Sequence, residues 1–414
     1  MRDIVIIGGG AAGLMAAVAA KSGGARVTVV EKNSRPARKV MITGKGRCNV
    51  TNNCDLDTLI SNVARGGRFL YSAFSAFDSG DTVRFFESRG VPLKTERGNR
   101  VFPMSDKAVD IVDALTAAAK ENAVIKTGAA AEILTENGAV SGVRLTSGEV
   151  LPANSVIVAT GGKSYPLTGS TGDGYALARA LGHTVAPVTP SLVRLEAREG
   201  FCTRLAGLTL KNVTLSLYKT GAKKPVYKEL GELLFTHTGI SGPLTLSASA
   251  YISGDPKEYF ANIDLKPALS AEMLDSRLLR DFEDEKNRDI INALDKLLPK
   301  SIIPVIIGNA GISPRTKVNQ ITKSDRLALI GAIKELCVTV TDLGPIEEAV
   351  VTRGGICLKE INSSDMSSKL VKNLYFAGEV IDVDAFTGGF NLQIAFSTGF
   401  LAGKSASKNN ESWV

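Results

Sequence analysis

Asp3-Ile4-Val5-Ile6-Ile7-Gly8-Gly9-Gly10-Ala11-Ala12-Gly13-Leu14-Met15-Ala16-Ala17 decides the fold of this chain. A short apolar strand runs into a glycine turn, and an alanine-rich helix follows at once. Arg26-Val27-Thr28-Val29-Val30-Glu31 then reads as a second strand ending in an acid. Strand, G-x-G-x-x-G turn, helix and acid in this order make up the dinucleotide-binding fingerprint in its full context. Gly8 is expected to form the tight turn, Gly10 to let the backbone approach a pyrophosphate, and Gly13 to let helix and strand pack closely. The helix start offers unpaired N–H groups and a positive dipole end to phosphates. Glu31 follows about twenty residues on, placed for ribose hydroxyls, and its charge disfavours a 2′-phosphate there. The fold expected is α/β, with a Rossmann-like dinucleotide-binding domain.

At 414 residues the chain exceeds what one compact core holds, so two or three domains are expected. A hydrophobic share of 44% and a charged share of 22% are ordinary for a soluble globular protein. The N-terminal apolar run is short and interrupted by glycine, unlike a signal peptide or membrane span. Residues 301–312, another apolar run, are broken by Pro304 and Gly308. A cytoplasmic protein with no membrane span is therefore expected. Five cysteines (Cys48, Cys54, Cys202, Cys337, Cys357) are scattered without a C-x-x-C pair. That pattern fits free thiols in a reducing compartment and argues against a zinc site or redox dithiol, so no metal is expected. The net charge of +7 is dispersed, and its densest stretch, residues 35–47, follows the dinucleotide motif. A solvated surface plus a counter-charge for a diphosphate explains it better than a nucleic-acid partner.

NAD and FAD both use this turn, so the choice between them rests on later segments. Residues 140–145 and 150–151 alternate as a hairpin around Ser147-Gly148. Ser155-Val156-Ile157-Val158-Ala159-Thr160-Gly161-Gly162 returns the chain to the dinucleotide sheet, where glycine permits close approach to a cofactor. Asn373-Leu374-Tyr375-Phe376-Ala377-Gly378-Glu379 is a further buried strand ending in glycine and an acid. Gly388-Gly389-Phe390-Asn391-Leu392-Gln393-Ile394-Ala395 then opens an Ala/Ser/Gly-rich helix, a start that exposes N–H donors to an anion or an electron-rich ring.

Together these segments resemble FAD-dependent proteins of the two-dinucleotide-binding-domain class. Gly44-Lys45-Gly46-Arg47-Cys48-Asn49-Val50-Thr51-Asn52 narrows the resemblance to the bacterial BaiN/YhiN-like flavoproteins, also labelled aminoacetone-oxidase-like or NAD(P)/FAD-dependent oxidoreductases. Gly169-Ser170-Thr171-Gly172-Asp173-Gly174-Tyr175, Phe235-Thr236-His237-Thr238-Gly239-Ile240-Ser241-Gly242-Pro243 and Gly378-Glu379-Val380-Ile381-Asp382-Val383-Asp384 carry it as well. The resemblance implies a soluble flavoprotein oxidoreductase with a non-covalent FAD. Gly8, Gly10, Ala11, Ala12 and Gly13 would hold the pyrophosphate, and Glu31, with Lys32 beside it, the adenosine ribose. Arg38, Lys39, Gly44, Arg47, Cys48 and Asn49 would line the flavin diphosphate and ring, and Ala130 would contact adenine through its backbone. Thr160, Gly161 and Gly378 complete the cofactor set; either Glu379 or Asp382 would reach the ribitol. Gly389, Asn391 and Leu392 would face the flavin pyrimidine edge, where N–H groups stabilise the negative charge that reduction adds.

The expected cofactor domain is discontinuous, residues 1–190 and 345–414, with a β-rich, barrel-like insert over 191–268 and a mainly helical one over 269–344. The insert would cap the flavin as a substrate domain. Within it, Thr322-Lys323-Ser324-Asp325 is expected to start a helix, with a serine or threonine cap, that runs through Cys337. His237, one of two histidines, is the acid–base candidate, against the plainer reading of a ring satisfying local backbone groups. Arg353 is a candidate for an anionic substrate, or else an ordinary surface cation. No second G-x-G-x-x-G follows in strand–helix context, so NADH or NADPH, if it is the electron donor, must enter the substrate cleft. A small molecule is the expected substrate. A macromolecular partner such as RNA, or flavin binding without turnover, stands as the alternative.

Overall fold

The computed structural model describes residues 2–20 and 25–408. The chain divides into two compact units, Met1–Ser191 with Ile346–Val414, and Leu192–Pro345.

In the first unit, β1 (Asp3–Ile7), β2 (Arg26–Glu31), β3 (Ala123–Thr127), β4 (Ser155–Val158) and β5 (Leu374–Phe376) run parallel. Their order among the described residues is β5-β4-β1-β2-β3. Ile4, Val5, Ile6 and Ile7 of β1 are all buried. Such a continuous apolar run, rather than an alternating one, marks a strand covered on both faces. The carboxyl ends of β1, β2, β4 and β5 lead directly into Gly8, Lys32, Ala159 and Ala377. That is the end of a parallel sheet where ligands bind.

Two helices of this unit pack on each other by direct backbone contact. On Phe390–Ser407, a Cβ at Gly399 would lie 2.3 Å from the Ala12 carbonyl oxygen, and one at Gly403 would lie 2.1 Å from that of Ala16. The two glycines are spaced by four, so they share one helix face, opposite Ala12 and Ala16 of the helix Ala11–Ala19. The small-residue composition of both helices follows from this approach.

The second unit is a closed barrel of described strands: Leu195–Ala197, Gly239–Ser241, Tyr227–Phe235, Thr209–Lys219, Tyr259–Asp264 and Leu336–Leu343, in that order around it. Alternate residues point inward, as in Tyr259, Ala261, Ile263 and Leu336, Val338, Val340. Leu274, Leu278 and Phe282 of the helix Ala271–Asp284, and Leu329, Ile330 and Ile333 of Lys323–Lys334, join the same hydrophobic cluster.

Two expectations change here. The insert is one unit, not a β part over 191–268 and a helical part over 269–344, because its helices lie between the fifth and sixth barrel strands in the chain and share their core. The helix capped by Thr322 ends at Lys334, and Cys337 lies on a strand. The alternation Leu336, Val338, Val340 is a strand period that overrides helix continuation.

Candidate functional site

One cavity of the first unit collects the segments that the sequence singled out. Gly8, Gly10, Ala11, Ala12, Glu31, Lys32, Arg38 and Lys39 line it, as do Ala130, Thr160, Gly161, Gly378, Glu379, Asn391 and Leu392. The three glycines of the turn do three different things. Gly8 has φ +104°, and a Cβ there would lie 2.6 Å from the Ala159 carbonyl oxygen. A Cβ at Gly13 would lie 1.8 Å from the Gly8 carbonyl oxygen, so Gly13 serves helix–turn packing. Gly10 has no heavy atom within 4 Å of its Cβ position, and it faces the cavity.

Two helix N-termini line this cavity, and neither has a side-chain cap. The helix Ala11–Ala19 starts at Gly10, and the helix Phe390–Ser407 starts at Gly389, φ +99°. Uncapped starts leave N–H donors and a positive dipole end for an anion.

Two carboxylates face the same space. Glu31 is buried; its Oε2 accepts from the Gly9 N–H at 2.7 Å, and its Oε1 accepts from the Asn33 N–H at 2.8 Å and from Asn33 Nδ2 at 2.7 Å. An ionised carboxylate has about four lone-pair sites, so one acceptor position is left for a hydroxyl. Glu379 accepts from Lys39 Nζ at 2.8 Å, from Ser164 Oγ at 3.1 Å and from the Thr352 N–H at 2.7 Å. Of the two acids considered for the ribitol, Glu379 lines the cavity. Asp382 lies outside its lining, half-buried and 3.7 Å from Arg65. Burial raises the Asp382 carboxyl above its usual range, against Arg65, the Gly354 N–H and Arg353.

Other expected ring-lining residues lie elsewhere. Arg47 is held by Glu96 and by Asp106 (2.6 Å), and its guanidinium stacks 4.2 Å over Phe102. Cys48 is fully buried at φ +60°, and burial pushes its thiol up to about 12. Gly44 and Asn49 pack on each other, with a Gly44 Cβ position 3.1 Å from the Asn49 N. Gly389 abuts Thr51, with a Cβ position 2.4 Å from the Thr51 carbonyl. Of the residues expected there, Gly44, Arg47, Cys48, Asn49 and Gly389 lie outside the lining of this cavity. Sequence reading missed Asn33, Thr43, Ser170, Asp173, Val351 and Val383, which do line it. For Ser170, Asp173 and Val383 the signal was present, since they lie in the motif blocks quoted above.

Arg353 is not a surface cation: it is 8% exposed and sits 3.7 Å from Asp384, which is fully buried. His237 lies in an exposed turn of the second unit between Phe235 and Gly239. Its carbonyl, not its ring, accepts from Thr203 Oγ1 at 2.8 Å. The other histidine, His183, is buried, with Nε2 2.8 Å from Ser368 Oγ. The cavity also carries a polar demand that the protein leaves unmet. Thr160, which lines it, has its Oγ1 buried without a hydrogen-bond partner among the described residues. Glycine cradle, two carboxylates, two helix starts and an orphaned hydroxyl fit a long dinucleotide with hydroxyls, phosphates and an electron-accepting ring. No group of three or more metal-ligating side chains occurs among the described residues, and no helix there is long and apolar enough to cross a membrane.

Comparison with known proteins bears on this geometry. A family profile, the HI0933-like protein Rossmann domain, matches residues 2–405. The chain is 31% identical over 416 residues to a 3-dehydro-bile acid delta(4,6)-reductase of Clostridium scindens, spanning 99% of this chain and 100% of that one. It is 30% identical over 401 residues to a ribosomal RNA dihydrouridine synthase of Escherichia coli, spanning 96% of both. Among solved structures it resembles a flavocytochrome c3 fumarate reductase (TM-score 0.51, 18% identity, covering 98% of this chain and 78% of that one). It also resembles the 3-ketosteroid-delta4-(5alpha)-dehydrogenase of Rhodococcus jostii (TM-score 0.51, 17% identity, covering 99% and 97%). At these identities the structural likeness shows the fold.

Proposed function

The chain belongs to the HI0933-like protein family, and from that premise we propose that it is an FAD-dependent oxidoreductase reducing a carbon–carbon double bond conjugated to a carbonyl. FAD, held without a covalent bond, supplies the hydride chemistry. The observation that carries the reading is the single cavity in which two uncapped helix starts and two carboxylates, Glu31 and Glu379, face one space. The first helix start and Gly10 would take the diphosphate, Glu31 the adenosine ribose, and Glu379 the ribitol. The start of the last helix, at Asn391 and Leu392, would offer its dipole to the negative charge gained on reduction, which favours electron uptake. Lys39 holds Glu379 in place as its ion-pair partner.

The two related activities point to the transformation. Saturating a delta(4,6) 3-oxo compound and making dihydrouridine both add hydride and a proton across a C=C bond in conjugation with C=O. Hydride addition at the far carbon leaves negative charge on the carbonyl side, so a proton donor is needed there. His237 is the candidate donor, and Arg353 the candidate group for an anionic or carbonyl-bearing substrate. A small molecule is the favoured substrate, and NADH or NADPH is a candidate reductant. The second reading, an RNA substrate, rests on the 30% identity to the dihydrouridine synthase and on the net charge of +7.

The protein, reduced anaerobically by light, should be mixed in turn with cyclic enones, an unmodified ribosomal RNA transcript and air. Recovery of the oxidised flavin spectrum by enones supports the small-molecule reading, and recovery by RNA the second. Rapid recovery in air with none by enones or RNA contradicts the reductase assignment.

A further inference from the structure

The rim of the cavity is bridged by side chains that bond to one another across it. On one wall, Lys32 and Asn33 follow β2. On the other, the turn Pro166–Thr168 and residues 169–172 lead into the helix Asp173–Ala180. Thr168, Gly169, Ser170 and Asp173 line the cavity opposite Glu31, Lys32, Asn33 and Arg38. Lys32 Nζ donates to Asp173 Oδ2 at 2.6 Å and to Thr171 Oγ1. Asn33 Nδ2 donates to the Thr168 carbonyl at 3.2 Å, and Arg38 donates to Asn33 Oδ1 at 3.1 Å. The Lys32 and Asp173 side chains keep 29% and 45% of their exposure, which places the pair at the rim and not in the depth of the site. Gly169, at φ +103°, presses on Asn33: a Cβ there would lie 2.4 Å from Asn33 Nδ2.

We propose that residues 165–173 form a clasp across the cavity rim, closed by Lys32 on Asp173 and Thr171 and by Asn33 on the Thr168 carbonyl, which must open for the dinucleotide to enter or leave. This rests on the FAD reading of the cavity. Lys32 is then a closing residue and not a ribose ligand. The carboxylate Glu31, sharing Asn33 with the clasp, links ribose binding to closure, because Asn33 donates to Glu31 Oε1 and to Thr168 through the same amide nitrogen. An exposed ion pair contributes little, and salt weakens it, so the clasp opens readily. Burial raises the Asp173 carboxyl, but hydrogen bonds from Lys32 and Thr171 outweigh it and hold the group below its usual range. Asp173 is therefore ionised throughout the neutral range, and acidification weakens the clasp.

The test is the kinetics of FAD binding to the full chain stripped of its flavin, followed by flavin fluorescence. Lys32→Met and Asp173→Asn should each raise both association and dissociation rates about fivefold, leaving affinity nearly unchanged, since an exposed pair is lost in each. Gly169→Ala should give the same signature by displacing Asn33. Raising ionic strength to about 1 M, where the screening length is about 3 Å, should speed dissociation from the wild type and not from Lys32→Met. Faster dissociation with unchanged association would make Lys32 a direct ligand and overturn the clasp, as would rates equal to wild type in both rim variants. Failure of the wild-type apoprotein to bind FAD at all would overturn the cofactor reading and the clasp with it.

Discussion

Gly10 and Gly13 stand three residues apart in one turn, and alanine should have opposite effects at the two. At Gly13 the new Cβ would lie 1.8 Å from the Gly8 carbonyl oxygen and 3.0 Å from its carbon. Both are backbone atoms, and Gly8 is anchored by its N–H on the Val30 carbonyl at 2.8 Å, so no side-chain rotation relieves the clash. Carbon–oxygen contacts settle at about 3.3 Å or more, so the helix must retreat by about 1.5 Å. That retreat also disturbs the Ala12–Gly399 contact. Overpacking costs about 1–3 kcal/mol where side chains can adjust, and here the upper end is expected. In thermal melts this is a fall of about 6–12 °C. At Gly10 the Cβ meets nothing within 4 Å, and φ −80°, ψ −170° suits alanine. Gly10→Ala should leave the apoprotein as stable as wild type or more stable, by about 0.4–1 kcal/mol. Its methyl group, however, stands in the cavity at the helix start. Losing one charge-assisted hydrogen bond to a phosphate there is worth about 1.5–3 kcal/mol, or about a 10- to 100-fold weaker FAD complex. Apoprotein melts and fluorescence titration with FAD measure the two effects separately. The reasoning is refuted if Gly10→Ala destabilises like Gly13→Ala, or if it binds FAD as tightly as wild type.

Three further expectations follow from other parts of the molecule. Gln393 is fully buried; its Oε1 accepts from Thr51 Oγ1 at 2.6 Å and Thr82 Oγ1 at 2.8 Å, and its Nε2 donates to the Phe77 carbonyl at 3.0 Å and Ser397 Oγ at 2.9 Å. Gln393→Leu strands the Thr51 hydroxyl, while Thr82 keeps the Asp78 carbonyl at 3.1 Å as a partner, and should cost about 2–3 kcal/mol in urea unfolding; a loss below about 1 kcal/mol would contradict the network's importance. His237→Asn should slow substrate-linked reoxidation of the flavin while FAD stays bound, and unchanged turnover would remove it from the proton-donor role. Burial holds the Asp384 carboxyl above its usual range, against Arg353, Ser191 and Arg65, with Asp382 adding to the rise. A folded-state value above the unfolded one means that this contribution to stability is full below the unfolded carboxylate range and is lost as pH climbs through the folded value. Asp384→Asn, which cannot ionise, should therefore gain on wild type as pH rises above the unfolded carboxylate range, read from urea midpoints. A pH-independent difference would show that Asp384 does not titrate there.

The glycine fingerprint and Glu31 were legible because their requirements are local: a left-handed turn, a tight helix start and an acid at a strand end all show in neighbouring residues. The parallel sheet was legible from apolar runs such as Ile4–Ile7. What escaped was set by distant partners. Arg47 reads as a cofactor cation until Glu96 and Asp106, 49 and 59 residues away, come to occupy its guanidinium. Gly389 reads as a donor-rich helix start facing the ring, yet the Thr51 backbone takes up the space beside it. Arg353 reads as either a substrate anchor or a surface cation, and its ion pair with the buried Asp384 rules out the second. The last barrel strand was lost to a helix that was carried three residues too far, from Lys334 to Cys337. Between Glu379 and Asp382 the sequence offers two equal acids one turn apart. Only the fold distinguishes them, placing the first in the cavity wall beside Lys39.

The absorption spectrum of the purified full chain, before and after heat denaturation, tests the central claim most directly. The account predicts the yellow two-band flavin spectrum at about one FAD per chain, all of it released into the supernatant when the polypeptide precipitates. A colourless protein that also retains no FAD through gel filtration after incubation with excess would contradict it.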